Sequence, residues 1–196
     1  MKTDLKTYIK IFSKFFTKQQ CKLIINSLDS SKNIAHTFYQ SRKNQLKKMG
    51  NDPEVSFLKD DKLESVGNLI KDQWYDAINK YILKFLKKEN MEWYNGWNGY
   101  AFPKFIIYNK GTSMPNHCDH IYSLFENKGL KRGIPVLSII TALNDDYSGG
   151  EIIMCGKYKY KLKAGETLVF PSNFLYPHEI KEITKGTRSS MVSWVY

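Results

Sequence analysis

Cysteine and long hydrophobic runs are both scarce in this sequence. The three cysteines, Cys21, Cys118 and Cys155, lack paired spacing, which argues against a disulfide framework and against a structural zinc site. No stretch approaches the roughly 20 apolar residues that span a bilayer. The N-terminus has an early acidic residue and no apolar core, unlike a secretory signal. We therefore expect a soluble protein of the reducing cytoplasm, with no membrane partner.

Arginine-rich blocks are also absent, although the formal net charge is +11. A basic balance favours acidic partners such as nucleic acid. The lysines are scattered, however, which favours a solvated basic surface. With 196 residues, 42% of them hydrophobic, the chain can form one domain with a substantial core. Nucleic acid stays an alternative partner, and the oligomeric state is left open.

The chain changes character near residue 98, so we predict a single domain over 1–196 in which 1–98 is a largely helical support region. Thr17 and Gln20 fit a capping box at the start of one helix. Residues 30–61 are polar and mixed, and we expect loop with short elements there. A longer helix follows, with apolar residues at three- and four-residue steps: Val66, Leu69, Ile70, Trp74, Ala77, Ile78, Tyr81, Ile82, Phe85 and Leu86.

Residues 99–196 contain short apolar runs separated by turn residues, which predict strands. The predicted strands cover residues 101–108, 115–120, 136–143, 150–154, 157–162, 167–170, 177–183 and 187–195. About eight short strands at close spacing are typical of a jelly roll. The predicted fold class is therefore mainly β with N-terminal helices (α+β), a jelly-roll catalytic core supported by helices.

A possible metal site comes from two of the four histidines. His117 and Asp119 are separated by one residue, so in a strand both side chains point to one face. Cys118 and His120 then point to the other face, as a small buried residue and an exposed loop residue. His178 lies far downstream at the start of another predicted strand. Two imidazoles and one carboxylate form the facial set of non-haem iron sites, with positions open for other ligands.

A basic residue follows the last of these histidines. Arg188 lies ten residues after His178, with a turn over 184–187 between them, so we predict that the two lie on adjacent antiparallel strands of one hairpin. Ser190 shares a face with Arg188 by strand alternation. An arginine fork with a neighbouring hydroxyl suits a buried carboxylate, such as that of 2-oxoglutarate.

Several motifs occur together in a fixed order. The sequence resembles the iron(II)/2-oxoglutarate-dependent dioxygenases of the prolyl 4-hydroxylase-like family over about residues 99–196. The motifs that carry the resemblance are Tyr108 upstream of His117-Cys118-Asp119, LNDDYSGGE (143–151), KAGETLVFPSN (163–173), Pro177-His178-Glu179 and GTRSSMVSW (186–194).

The resemblance implies a fold, a metal and a cosubstrate. The strands would form a double-stranded β-helix, which agrees with the jelly roll predicted above. His117, Asp119 and His178 would hold iron(II), and 2-oxoglutarate would be the cosubstrate. Ascorbate is a candidate reductant.

The resemblance also implies residues for the 2-oxoglutarate pocket. Arg188 would pair with the distal carboxylate, Ser190 would assist, and Tyr108 would line the pocket, although Tyr108 could equally be a plain strand aromatic. Relatives often carry a tyrosine where this chain has Ala142, so the remaining contacts of that carboxylate are not explained.

The substrate side is less defined by the sequence. Residues 120–135 separate the first ligand pair from the next strand and carry aromatic and basic side chains. We interpret them as a substrate-facing loop or, equally, as an ordinary connection. Tyr122, Arg132 and Trp194 are the candidate substrate contacts.

The predicted function is hydroxylation of a prolyl or other residue of a peptide or protein, with succinate and carbon dioxide as coproducts. This target follows from the resemblance alone. The alternatives are oxidation or demethylation of a nucleic-acid base and hydroxylation of a small molecule such as a free amino acid. A jelly-roll binding module without turnover is disfavoured because the three metal ligands and Arg188 are all present.

Overall fold

A computed structural model describes residues 4–13, 15–40, 45–47, 50–94, 96–119 and 135–196. These residues form short strands along the whole chain. The strands are β1 (Lys10–Phe12), β2 (Leu28–Ala35), β3 (Phe38–Gln40), β4 (Gln45–Lys47), β5 (Glu54–Leu58), β6 (Lys104–Tyr108), β7 (Met114–His117), β8 (Leu137–Ala142), β9 (Ser148–Gly149), β10 (Ile152–Met154), β11 (Tyr158–Tyr160), β12 (Thr167–Pro171), β13 (His178–Ile180), β14 (Ile183–Lys185) and β15 (Arg188–Val195).

The strands assemble into a major and a minor antiparallel sheet. The major sheet has the order β1-β12-β8-β15-β6-β5-β2, and the minor sheet has the order β11-β10-β13-β7. Two smaller pairs, β14 with β9 and β3 with β4, complete the described strands. The predicted jelly roll is confirmed, because the C-terminal strands supply both sheets and leave a cavity between them.

Two helices precede the C-terminal strands. Helix α1 (Lys18–Asn26) begins with the predicted capping box, in which the Thr17 hydroxyl accepts from the Gln20 amide at 3.1 Å and the Gln20 side chain accepts from the Thr17 amide at 2.8 Å. Helix α2 (Leu63–Asn79) continues into a π-helical segment, Lys80–Leu86. The predicted apolar stripe is confirmed as the buried face, although its last turns are π-helical rather than α-helical. None of the helices in the described part of the chain is both long and apolar enough to cross a bilayer.

Helix α2 packs on the face of the major sheet that points away from the cavity. The fully buried Trp74 donates from Nε1 to the Thr141 hydroxyl on β8 at 2.9 Å, and Thr141 lies 2.8 Å from the Thr167 hydroxyl on β12. Because side chains alternate along a strand, Ser138 and Ile140 face the opposite way. The helix therefore covers one face of β8 and leaves the other free to line the cavity.

Residues 30–61, expected to be loop with short elements, contain strands that belong to the major sheet. Strands β2 and β5 pair with each other, and β5 pairs with β6, which extends the major sheet. β2 is largely exposed and has a register irregularity between Asp29 and Ile34. An edge strand of this kind carries no apolar alternation that a sequence pattern could detect. The part before residue 98 thus contributes strands as well as helices, and its role as a support region stays a prediction.

Candidate metal centre

The three predicted metal ligands come together at one end of the cavity. His117 ends β7 and pairs in register with His178, the first residue of β13. Asp119 lies two residues beyond the end of β7. One ligand atom from each of the three side chains lies within 4.8 Å of the others. Such a cluster of two imidazoles and one carboxylate has the spacing to share a single ion.

Backbone carbonyls fix the orientation of both imidazoles. Nδ1 of His117 lies 2.8 Å from the Pro115 carbonyl, and Nδ1 of His178 lies 3.2 Å from the Tyr176 carbonyl. Because a carbonyl oxygen only accepts, each Nδ1 carries the proton and each Nε2 carries the lone pair. The two Nε2 atoms lie 3.6 and 3.8 Å from Oδ1 of Asp119. Both lone pairs are thus directed at the region beside one carboxylate oxygen, as in metal-binding histidines.

The other carboxylate oxygen of Asp119 is held by a serine that the sequence analysis missed. The Ser138 hydroxyl on β8 donates to Oδ2 of Asp119 at 2.6 Å, and it lies 3.0 Å from the Ser172 hydroxyl. Both serines are buried. Since the Ser138 proton goes to the carboxylate, we infer that Ser172 donates to Ser138. A polar residue at an inward position of an otherwise apolar strand was the available signal.

The charges at this cluster suit a cation. Burial alone would raise the pKa of Asp119, but His178, His117 and the Ser138 hydroxyl outweigh it and hold that pKa well below its usual range. Burial lowers the pKa of His178. Burial also opposes the charged form of His117, yet the hydrogen bond and charge of Asp119 leave its pKa raised. An ionised carboxylate with two imidazoles is a donor set that fits iron(II).

Arg188 lies in the same cavity and presents an unpaired group. Its side chain is among the largest that are fully buried, and its Nη1 donates to the Ser190 hydroxyl at 3.2 Å. Its Nη2 is buried and has no hydrogen-bond partner within the ranges that the structure describes. Leaving a buried guanidinium group unpaired is costly. An anionic partner such as the distal carboxylate of 2-oxoglutarate would satisfy this nitrogen.

Tyr108 supports this arginine through its ring. It pairs in register with Arg188, whose guanidinium carbon lies 4.7 Å from the centre of the phenol ring. The hydroxyl donates to the Met114 sulfur at 3.6 Å, and burial raises the pKa of Tyr108 to about 12. On the adjacent strand, Ala142 pairs with Ser190 and is buried. Tyr108 lines the cavity.

The structure describes only some of the remaining predicted residues. Trp194 lines the cavity, whereas Tyr122, Arg132 and nearly all of segment 120–135 lie outside the described residues, as does His120. The Cys118 sulfur faces the Phe174 carbonyl at 3.7 Å and is not part of the ligand cluster. His36 and Lys104 also line the cavity, and none of the sequence patterns singles them out.

The predicted hairpin between His178 and Arg188 is wrong. β13 belongs to the minor sheet, where it pairs with β10 and β7, whereas β15 belongs to the major sheet, where it pairs with β6 and β8. The intervening strand β14 pairs with β9. In a jelly roll the chain crosses from one sheet to the other, so a turn between two strands need not join hydrogen-bonded neighbours. The two residues meet across the cavity instead.

Comparison with known proteins finds a family match in the C-terminal half of the chain. Residues 103–196 match the model of the 2OG-Fe(II) oxygenase superfamily. A PKHD-type hydroxylase of Stenotrophomonas maltophilia is 32% identical over 100 residues, which cover 49% of this chain and 43% of the relative. One from Prochlorococcus marinus is 34% identical over 104 residues, covering 49% and 44%. The matched region thus spans less than half of the length of these relatives.

Solved structures resemble the chain over nearly its full length. A viral collagen prolyl hydroxylase from Paramecium Bursaria Chlorella virus-1 has a TM-score of 0.62 at 14% identity and covers 96% of this chain and 94% of its own. A prolyl hydroxylase from Trichoplax adhaerens has a TM-score of 0.58 at 16% identity and covers 97% and 84%. At these identities the similarity concerns the fold. The family model therefore shows a similarity to the 2OG-Fe(II) oxygenase superfamily over residues 103–196, and the solved structures show the fold.

Proposed function

We propose that this chain is an iron(II)- and 2-oxoglutarate-dependent hydroxylase that acts on a prolyl or other residue of a peptide or protein. The observation that carries the proposal is the unpaired, buried Nη2 of Arg188 in the same cavity as the three clustered ligands His117, Asp119 and His178. A metal site alone would fit many functions. A metal site that faces a buried arginine with one unpaired nitrogen fits an ion and a carboxylate-bearing cosubstrate together.

The residues of the site divide into metal ligands and cosubstrate contacts. His117, Asp119 and His178 would hold iron(II), and Arg188 with Ser190 would hold the distal carboxylate of 2-oxoglutarate. When bound, iron(II) and 2-oxoglutarate supply oxidative chemistry that consumes dioxygen, releases succinate and carbon dioxide, and hydroxylates a C–H bond.

The wall of the cavity on the major-sheet side is partly apolar. Ile106, Ile140 and Val192 line the cavity on the major-sheet side and are buried or half-buried. A dry cavity strengthens the pairing of Arg188 with a carboxylate, because the local dielectric is low.

The peptide target is favoured by similarity rather than by a contact. The Trichoplax adhaerens prolyl hydroxylase is described in complex with a peptide fragment of hypoxia inducible factor. Fold similarity does not fix a substrate, so peptidyl proline is the first target to test. A peptide library incubated with the protein should be screened by mass spectrometry for the gain of one oxygen atom.

The reaction itself can be tested without the substrate. Succinate formation from 2-oxoglutarate should be measured with iron(II), with and without ascorbate. We expect Asp119→Ala to lower turnover at least about 100-fold, since even weaker, second-layer changes cost that much metal affinity. Arg188→Lys keeps the charge but loses the fork, so it should raise the KM for 2-oxoglutarate about tenfold.

The exposed Asp72 on α2 offers the matched control. Asp72→Ala should leave the turnover rate and the KM for 2-oxoglutarate unchanged. Full turnover by Asp119→Ala would overturn the proposal, because the carboxylate would then be dispensable for the metal.

A further inference from the structure

A lysine faces the same cavity from strand β6. Lys104, Ile106 and Tyr108 alternate along this strand, and all three line the cavity. Lys104 is half-buried and pairs in register with Val192. Its ammonium nitrogen lies 5.2 Å from the centre of the Trp194 ring. A lysine at an inward position of a core strand, resting on an indole ring, is not a solvated surface charge.

The position of Trp194 places this ammonium group toward the metal ligands. Trp194 pairs in register with Ser138, the serine that holds Asp119. Arg188 lies at the other end of the cavity, paired with Tyr108. Because Tyr108 lies four positions after Lys104 on the strand, the two backbone positions are about 13 Å apart. The cavity therefore has a cation at each end, and only the Arg188 end matches the distal carboxylate of 2-oxoglutarate.

The charges that line the cavity do not balance without a further anion. Among the described lining residues, Lys104 and Arg188 are cationic and Asp119 is anionic. Burial, followed by Lys104 and His117, lowers the pKa of His36 to about 4, so His36 adds no charge near neutral pH. Iron(II) adds two positive charges and 2-oxoglutarate two negative ones, which leaves one positive charge in excess.

No carboxylate of the described residues forms an ion pair with Lys104. Burial lowers the pKa of Lys104, and Asp119 opposes that shift from a distance. A half-buried ammonium group without a carboxylate in contact is costly, and a ligand anion beside it would offset the cost.

We propose that Lys104 anchors a carboxylate of the substrate beside the metal ligands, with Trp194 holding the lysine in place. The inference rests on the proposed function and adds a substrate class to it. The substrate is a carboxylate-bearing molecule, either a free amino acid or a peptide with an acidic side chain near the oxidised carbon. Lys104 is thus a specificity-determining residue rather than a cosubstrate ligand.

The test compares acids with their uncharged amides. Protein loaded with iron(II) and 2-oxoglutarate is titrated calorimetrically in the absence of dioxygen, so that binding is measured without turnover. One set of probes pairs free L-aspartate with L-asparagine, L-glutamate with L-glutamine and L-proline with L-prolinamide. A second set pairs short capped peptides that contain aspartate or glutamate with their asparagine or glutamine counterparts.

We expect wild-type protein to bind at least one acid about tenfold or more tightly than its amide, as a charge-assisted hydrogen bond implies. Lys104→Met should bring that ratio to near one and leave 2-oxoglutarate affinity within twofold. Lys110→Met is the matched control, because Lys110 is exposed just beyond the same strand, and it should keep the wild-type ratio. The probe set that shows the preference distinguishes a free amino acid from a peptide.

Two results would overturn the inference. One is the absence of any acid-over-amide preference in wild-type protein across both sets, and the other is an unchanged preference in Lys104→Met. A loss of 2-oxoglutarate affinity in Lys104→Met would assign the lysine to the cosubstrate and would equally contradict the inference. Succinate formation in wild-type protein tests the proposed function separately, so a failure of one is not confused with a failure of the other.

Discussion

Oδ2 of Asp119 accepts a 2.6 Å hydrogen bond from the Ser138 hydroxyl, while Oδ1 faces both imidazole Nε2 atoms. The serine therefore orients the carboxylate without competing for the oxygen that the metal would use. We predict that Ser138→Ala lowers metal affinity about 10- to 100-fold, the usual effect of losing such a partner. Titration calorimetry with iron(II) under nitrogen measures this.

Ser148, which is exposed on β9, provides the comparison. Ser148→Ala should bind metal as the wild type does. An unchanged dissociation constant in Ser138→Ala would show that the Asp119 carboxylate keeps its orientation without the serine.

A glycine beside Arg188 gives a second prediction. Gly150 has a φ of +66°, and a Cβ built there would lie 2.5 Å from Ile183 Cδ1 and 3.2 Å from Arg188 Cδ. Gly150→Ala should therefore displace the arginine and weaken 2-oxoglutarate binding at least severalfold. It should also destabilise the fold by about 1–2 kcal/mol or more, because of the left-handed backbone. Thermal unfolding and 2-oxoglutarate titration measure the two effects.

Gly156 provides a control that separates the packing effect from the backbone effect. Its φ is +70°, but a Cβ there would meet no atom within 4 Å. Gly156→Ala should show the backbone cost alone, with normal 2-oxoglutarate affinity. Equal losses of affinity in both variants would contradict the packing explanation.

Tyr108 allows its ring and its hydroxyl to be tested apart. Tyr108→Phe keeps the ring beneath the Arg188 guanidinium and removes the hydroxyl, which contacts the Met114 sulfur and also interacts with Arg188. We expect it to change 2-oxoglutarate affinity by less than threefold. Tyr108→Leu removes the cation–π contact and should cost about 1–2 kcal/mol of binding. If Tyr108→Phe lost as much affinity as Tyr108→Leu, the hydroxyl itself would contact the cosubstrate.

The Trp74 hydrogen bond to Thr141 is expected to matter for stability but not for the site. Trp74→Phe removes a buried donor and part of a fully buried ring, so we expect a loss of about 2 kcal/mol in the free energy of unfolding. 2-Oxoglutarate affinity should stay at the wild-type value, because α2 packs on the opposite face of β8. Tyr75→Phe, at a 53% exposed position, is the control in urea denaturation. A loss of cosubstrate affinity in Trp74→Phe would mean that the two faces of β8 are coupled.

The features that local pattern determines could be predicted from the sequence. The one-residue spacing of His117 and Asp119 predicts that both lie on one side, and the structure brings them together although β7 ends at His117 and Asp119 lies two residues beyond it. The capping box at Thr17 and the apolar stripe of α2 follow from equally local rules. These predictions needed no knowledge of which strands become neighbours.

The features that depend on distant pairing could not be predicted. β2 is polar along most of its length, so only its pairing with β5 defines it as a strand. The sequence predicts one hairpin for His178 and Arg188, because chain order gives no sign of a change of sheet. Lys104 in a short strand resembles a solvent-facing residue until β15 and Trp194 are placed across from it.

The ligand set draws on both sheets, and this has a mechanical consequence. His117 and His178 lie on the paired strands β7 and β13, while Asp119 accepts a hydrogen bond from Ser138 on β8. An ion bound by all three side chains would link the two sheets of the sandwich. Separation of the layers would then require release of the ion, so the metal would set the rate at which the β-sandwich opens as well as equip it for chemistry.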